Sequence, residues 1–242
     1  CNSDAPCGAP GSGRAGQPLE LRFERAHEAR RVEQRAAFAL ALQVGLLQAR
    51  RVRALRRDPR AAEFFPQDVQ ELQALLGPAQ PGQAIQAVPG TGTQVPLWIL
   101  GSSLFGSQLA AELGLPYAFA SHFAPDALMQ ALAIYRERFK PSEQLARPHA
   151  MPGINVIAAE TDAEARHLAT SLQQRFVGMV RGQRGKLQPP IDDIETYWSP
   201  NEKAHVAGML RYAFIGSPDT LKRQLGAFIT TTRADEIMIT AP

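Results

Sequence analysis

Cysteine is almost missing from this sequence. Its 242 residues hold two, Cys1 and Cys7, both in a leader rich in Gly, Pro and Ser, so no disulfide framework can carry the fold. The leader also lacks the charged-then-apolar order of a secretory signal, and a cytoplasmic protein is expected. No stretch of about 18 or more apolar residues occurs, which argues against a membrane-spanning helix. Lysine is absent from residues 1–60, where 12 Arg stand against 6 acidic residues for a net of +6, leaving −3 for the rest of the chain. A nucleic-acid arm would mix Lys with stacking aromatics. The block is therefore read as a solvated arginine-rich helix, with no nucleic-acid partner.

Further absences narrow the chemistry. There is no Gly-x-Ser-x-Gly elbow and no Cys/His nucleophile arrangement. The basic stretch RFVGMVRGQRGKLQPP (175–190) carries no Walker or dinucleotide glycine fingerprint and reads as a surface insertion. His149, His167 and His205 lie far apart, without Cys or acidic partners at ligand spacing, so no metal site is expected. No internal repeat is visible.

What is present is a core and a pattern. A hydrophobic content of 45% over 242 residues is enough for a full core. Residues 1–18 lack periodicity and read as a disordered leader, while the Ala, Leu, Arg, Glu and Gln content from Glu20 to Arg57 predicts a long helix. A second helix is expected over Pro66 to Leu76, stopped by Gly77 and Pro78, and QAIQAVPG (83–90) as a short extended piece. After Gln94 strands and helices alternate. VPLWIL (95–100) reads as a buried strand, SLFGSQLAAEL (103–113) as a helix, YAFAS (117–121) as a strand and PDALMQALAIYRERF (125–139) as a helix. GINVIAA (153–159) is the third strand, followed by a helix over 161–180 whose Thr161 and Glu164 form a capping box. Asp162, Glu164 and Arg166 read as a solvated helix start, where acids suit the dipole. Tyr197 and Trp198 either line a channel or pack. A helix begins near Pro200, YAFIG is extended, Ser217 caps a helix with Pro218 in its first position, and DEIMIT (235–240) is the last strand. Short strands alternating with helices mean βα units and a parallel sheet.

In such a sheet ligands sit at the C-terminal strand ends. Gly101, Ser102 and Ser103 occupy one of these ends. Glycine allows close backbone approach, and two hydroxyls with the free N–H groups of the next helix suit an anion such as phosphate; the alternative is a turn that merely caps the helix. Ser121 and His122 occupy the next strand end, where a histidine serves as acid, base, flavin contact or ordinary hydrogen-bonded loop residue.

The run PLWILGSSLFGSQLAAELGLPYAFASHFAPDALMQALAIYRERF, with the later YAFIGSPDTLKRQL and DEIMIT, resembles the luciferase-like flavin monooxygenases, the group of bacterial luciferase and its alkanal-monooxygenase-like relatives. The resemblance covers about Arg53 to Pro242. It implies a (β/α)8 TIM barrel that binds reduced FMN at the C-terminal strand ends and lets it react with O2 to oxidise a small apolar organic substrate. It gives Gly101, Ser102 and Ser103 the flavin phosphate and sets Ser121 and His122 near the flavin ring, with no catalytic residue assigned. Relatives that use the deazaflavin F420 make that the second choice of cofactor. The implied partners are the substrate, O2, a flavin reductase supplying reduced flavin, and a second copy in a homodimer.

The resemblance has departures. Bacterial luciferase has an acidic residue where Gly101 stands and a threonine near Phe105. Residues 1–52 show no alternating strand run and lack the family's first strands and their histidine; His27 does not replace it. Their Arg/Ala/Gly/Pro composition is what a GC-rich gene read in the wrong frame also produces, and a frame error or truncated gene is the expectation. Two segments follow, an atypical 1–52 and a partial barrel over 53–242. The competing functional reading is a non-catalytic remnant that binds at most a phosphate-bearing ligand or a partner chain.

Overall fold

The computed structural model describes residues 63–183 and 185–241; the expected leader and arginine-rich helix lie outside the described residues. In chain order the elements are α1 (Phe65–Leu76), β1 (Ile99–Gly101), α2 (Leu104–Leu113), β2 (Tyr117–Phe119), α3 (Leu128–Arg138), β3 (Ala150–Ala158), α4 (Asp162–Val180), a 3-10 turn (Ile194–Thr196), α5 (Pro200–Met209), β4 (Ala213–Gly216), α6 (Pro218–Thr232) and β5 (Met238–Thr240). The alternation expected after Gln94 is thus present.

Among the described residues every strand pairing is parallel. β1 pairs with β2 (Gly101 opposite Phe119), β2 with the start of β3 (Tyr117 opposite Ala150), and β3 with β4 (Ala158 opposite Gly216). β5 pairs with β3 rather than with β4, and Asn155 is bordered on both sides, by Ala213 and by Thr240. Among the described residues this is an open α/β sheet of the parallel, barrel-wall kind, a partial barrel.

The boundaries differ from expectation for identifiable reasons. The stretch before Ile99 is not a strand, because the Gln144 carboxamide takes its place as a partner. It accepts from the Leu97 N–H (3.2 Å) and donates to the Leu97 carbonyl (2.9 Å), doing for one residue what a neighbouring strand would do. VPLWIL is also not buried throughout: Leu97 and Ile99 are buried while Leu100 is 39% exposed, the alternation of a strand covered on one face. The short extended piece expected over 83–90 is not a strand: residue 84 is a bend and residues 88–90 form a turn. At α4 the Thr161 hydroxyl accepts from the Glu164 N–H (3.2 Å), but the reciprocal capping box forms at Ser199 and Glu202 of α5.

The main core lies between the sheet and its helices, with Tyr117, Phe119, Leu128, Leu132, Tyr135 and Ile154 almost fully buried. Tyr135 shows how the polar atoms inside it are satisfied. Its hydroxyl donates toward the Leu115 carbonyl (2.9 Å) and the His149 carbonyl (3.2 Å) and accepts from the His149 N–H (3.0 Å), and burial pushes its pKa up to about 12. Tyr135→Phe leaves the His149 N–H unpaired, so a loss of about 1–3 kcal/mol is expected in urea unfolding; a midpoint equal to wild type would show that water replaces the hydroxyl.

A smaller core joins Ile157, Leu172, Phe176, Val177 and Val206, and Tyr197 and Trp198 pack against it, so these two aromatics act as packing. The surface over them is tied by charge. Arg181 donates to both Glu202 oxygens (2.7 and 3.1 Å), and the Ser199 N–H and hydroxyl add two more bonds (2.7 and 2.9 Å). The Arg181 bonds, then those from Ser199, hold the Glu202 carboxyl down to about 2 from its ordinary 4.5. A depressed carboxyl contributes stability above its unfolded pKa and loses it as pH falls through the folded value. Glu202→Gln is therefore expected to flatten the fall in Tm between about pH 4.5 and 2; an unchanged acid limb would overturn this.

Candidate functional site

Because β1 and β2 run parallel with Gly101 opposite Phe119, the chain leaves both strands on the same side. Ser102 and Ser103 follow one, Ser121 and His122 the other. The five residues singled out by sequence therefore share one C-terminal rim. The turn after β1 leads into α2 with Ser103 in the cap position, in extended backbone (φ −140°), and its hydroxyl makes no cap hydrogen bond. The first turn of α2 holds no acidic residue. The plain capping reading thus fails for Ser103, whose hydroxyl remains available beside the helix N-terminus. Gly101 is not required by space here, since an added Cβ would meet the Gly106 Cα at an ordinary 3.5 Å.

The second turn is built from inside the sheet. Ser121 is completely buried and its hydroxyl donates to the Gly153 carbonyl of β3 (2.7 Å), so its part in the site is to hold the turn. The next residue is pinned through its backbone. Asn155 of β3 donates its amide to the His122 carbonyl (2.6 Å) and accepts from the Thr240 hydroxyl of β5 (2.7 Å). A hydrogen-bonded line thus runs from β5 through β3 to the rim. The His122 ring lies against Gly153, where an added Cβ would fall 2.6 Å from Nδ1. Its Nδ1 is buried without a partner, and burial lowers its pKa below the ordinary imidazole value, which keeps the ring neutral at neutral pH. The Phe123 ring meets it edge-on at 5.0 Å.

The rim is mixed in character. Leu100, Phe105 and Phe123 are 39%, 42% and 37% exposed, so apolar surface flanks the hydroxyls. At the C-terminal end of β4 the helix N-terminus is already filled: Asp162 accepts from the Ser217 N–H (2.7 Å) and the Thr220 hydroxyl (3.0 Å). Those bonds hold its carboxyl below the usual range, the Ser217 N–H contributing most. Asp162 is thus a tie between two turns rather than a solvated acid. The α6 start thus carries an internal carboxylate, whereas the α2 start has an uncommitted hydroxyl and no acid.

Sequence reasoning missed Gly153, Asn155 and Thr240 as the parts that place His122. The available signal was the single amide in GINVIAA, since a polar side chain in a strand buried on both faces needs a partner.

The sequence pattern of the luciferase-like monooxygenase family matches residues 13–235, starting well before Arg53, where the resemblance in the motifs begins. A Bacillus subtilis protein, YvbT, described as uncharacterized, is 47% identical over 188 residues, which is 77% of this chain and 56% of that protein. An Escherichia coli protein named luciferase-like monooxygenase is 46% identical over 191 residues, covering 78% of this chain and 57% of its own length. This chain therefore spans little more than half the length of these relatives. Among solved structures, apo-MsnO8 superposes with a TM-score of 0.65 at 26% identity, over 81% of this chain and 59% of that one. With a pattern match across most of the chain and nearly half of the aligned residues shared with these relatives, the chain belongs to the luciferase-like monooxygenase family, and its parallel sheet is part of that family's (β/α)8 barrel.

Proposed function

We propose that this chain carries the phosphate end of a flavin site, in a monooxygenase that uses reduced FMN and O2 on a small apolar organic substrate. The observation that supports this is the rim itself: an uncapped hydroxyl at Ser103 beside Ser102, at a helix start without acids, next to the half-buried side chain of His122 at the end of the neighbouring strand. An anionic tail fits the first feature, and the second gives the rest of the same ligand an aromatic neighbour, with the Phe123 ring edge-on to it. Reduced flavin supplies the electrons that activate O2. The chain's own tasks are to bind the phosphate through Ser102, Ser103 and the α2 N–H groups, and to present a neutral His122 to the ring. The flanking apolar side chains keep water away. Gly101 and Ser121 shape the two turns. FMN is the proposed cofactor ahead of F420, with a flavin reductase, a homodimer and a cytoplasmic location as the accompanying expectations.

Titration with FMN and with riboflavin tests the reading, because the two differ only in the phosphate. Ser102→Ala/Ser103→Ala is expected to weaken FMN about tenfold or more, two charge-assisted bonds being lost, while leaving riboflavin within about twofold. Equal losses for both ligands, or no binding of FMN by the wild type, would overturn it.

A further inference from the structure

Asn155 is out of character in the middle of β3. It stands among Ile154, Val156 and Ile157 and is 5% exposed, at a position where a β-branched residue would pack better and a carboxamide costs free energy unless its polar atoms are paired. Gly153 and Asn155 are two apart, so they face the same side of the sheet, and both meet the turn after β2. Gly153 leaves space for the His122 ring, and Asn155 donates to the His122 carbonyl (2.6 Å). The turn's own bonds do not use that carbonyl, because the Phe123 and Ala124 N–H groups both donate to Ala120 (3.4 and 3.2 Å). On its other side the turn is tied to β1, where the Ala120 N–H donates to the Gly101 carbonyl (2.9 Å). The turn that carries His122 is therefore held between Gly101 and Asn155.

The orientation of the amide follows from its partners. A carbonyl only accepts, so the Asn155 atom that faces His122 is the nitrogen and its oxygen faces Thr240. The Thr240 hydroxyl has one hydrogen and two oxygens in reach, Asn155 Oδ1 at 2.7 Å and the Ile154 carbonyl at 3.1 Å, and the nearer one takes it. We propose that Asn155 is a positioning residue of the site: with its amide turned by Thr240, it fixes the His122 backbone and through it the place of the imidazole on the rim. The effect on ligand binding rests on the flavin reading above; the effect on the imidazole does not.

Two measurements on the full chain test this. In the first, the imidazole NMR signals of the ligand-free protein are recorded, with that of His122 identified by its loss in His122→Ala. Asn155→Leu and Thr240→Val, which keep the side-chain shape and remove the hydrogen bonds, should both shift the His122 signal and leave those of His167 and His205 in place. Thr240→Ser, which keeps the hydroxyl, should match wild type. Thr240→Val keeps the test decisive if Asn155→Leu fails to fold. In the second, riboflavin and FMN are titrated. Asn155→Leu should weaken both by the same factor, about fivefold for one lost hydrogen bond, unlike a change at the phosphate turn. In the His122→Ala background the same substitution should cost less than twofold, since nothing is left to position. A wild type that binds neither ligand would remove the flavin reading, and the ring signals would then decide the positioning alone. An unmoved His122 signal in the variants, Thr240→Ser behaving like Thr240→Val, or a full fivefold loss in the His122→Ala background would each overturn the proposal.

Discussion

Replacing Gly114 with alanine is expected to destabilise the protein by roughly 3 kcal/mol, the sum of a left-handed backbone penalty and an overpacking penalty. Gly114 closes α2 with φ +61°, and an added Cβ would fall 2.4 Å from the Lys140 carbonyl oxygen and 2.6 Å from the Ser142 Cβ. Neither neighbour can give way cheaply. The Lys140 N–H is bonded to the Ala111 carbonyl (2.9 Å), one of the last carbonyls of α2, and the Ser142 hydroxyl donates to Gly114 itself (2.8 Å). The same hydroxyl accepts from the N–H groups of Gln144 and Leu145, and Gln144 is the residue that substitutes for a strand at Leu97. A methyl at 114 therefore disturbs the end of α2, the turn into β2 and the approach to β1 together. Urea unfolding followed by far-ultraviolet circular dichroism measures the loss. A change below about 0.5 kcal/mol, the scale of an ordinary surface substitution, would mean that the turn does not hold Gly114 in the left-handed region.

The second large effect is expected at Gly153, where alanine would place a methyl 2.6 Å from His122 Nδ1 and 3.5 Å from the Phe119 carbonyl oxygen. Gly153 lies in the middle of β3 and is buried, with its carbonyl taken by Ser121, so the strand has little room to retreat. The imidazole must swing out. Overpacking of this kind costs about 1–3 kcal/mol, and on the flavin reading the displaced ring weakens FMN about tenfold, one mispositioned contact at about 1.4 kcal/mol. The control is a double-mutant cycle with His122→Ala. Once the ring is gone the methyl has nothing to strike, so Gly153→Ala should cost much less in that background. Additive losses in stability and in FMN affinity would show that the glycine acts on the strand and not on the histidine.

The order of elements was legible in the sequence because each rests on a local rule. Gly77 after Leu76, Gly114 after Leu113, and Ser217-Pro218 before α6 mark helix ends by backbone preference alone, and the short apolar runs between them leave little choice but strands covered by helices. The placement of Ser102 and His122 on one rim was equally legible, since two parallel strands in sequence must end on the same side. Strand lengths were not. VPLWIL looks like a six-residue strand, yet its first half pairs with a side chain from 47 residues later, which no local pattern records. Asp162 is the plainest case. At a helix start its composition fits a solvated acid, and only the approach of β4 to β3 brings the Ser217 N–H within 2.7 Å of it.

The division follows from the range of the forces involved. Helix caps, turns, the alternation of strands and helices and the common rim depend on residues a few positions apart, and the amino-acid order by itself determined them, along with the motifs that mark the family. The pairing of β5 with β3, the burial of Ser121, the line from Thr240 through Asn155 to His122, and the filling of the α6 N-terminus by Asp162 join residues 32 to 86 positions apart. Those were decided only when the strands and helices packed together, because a buried polar atom takes whichever partner the tertiary structure brings to it.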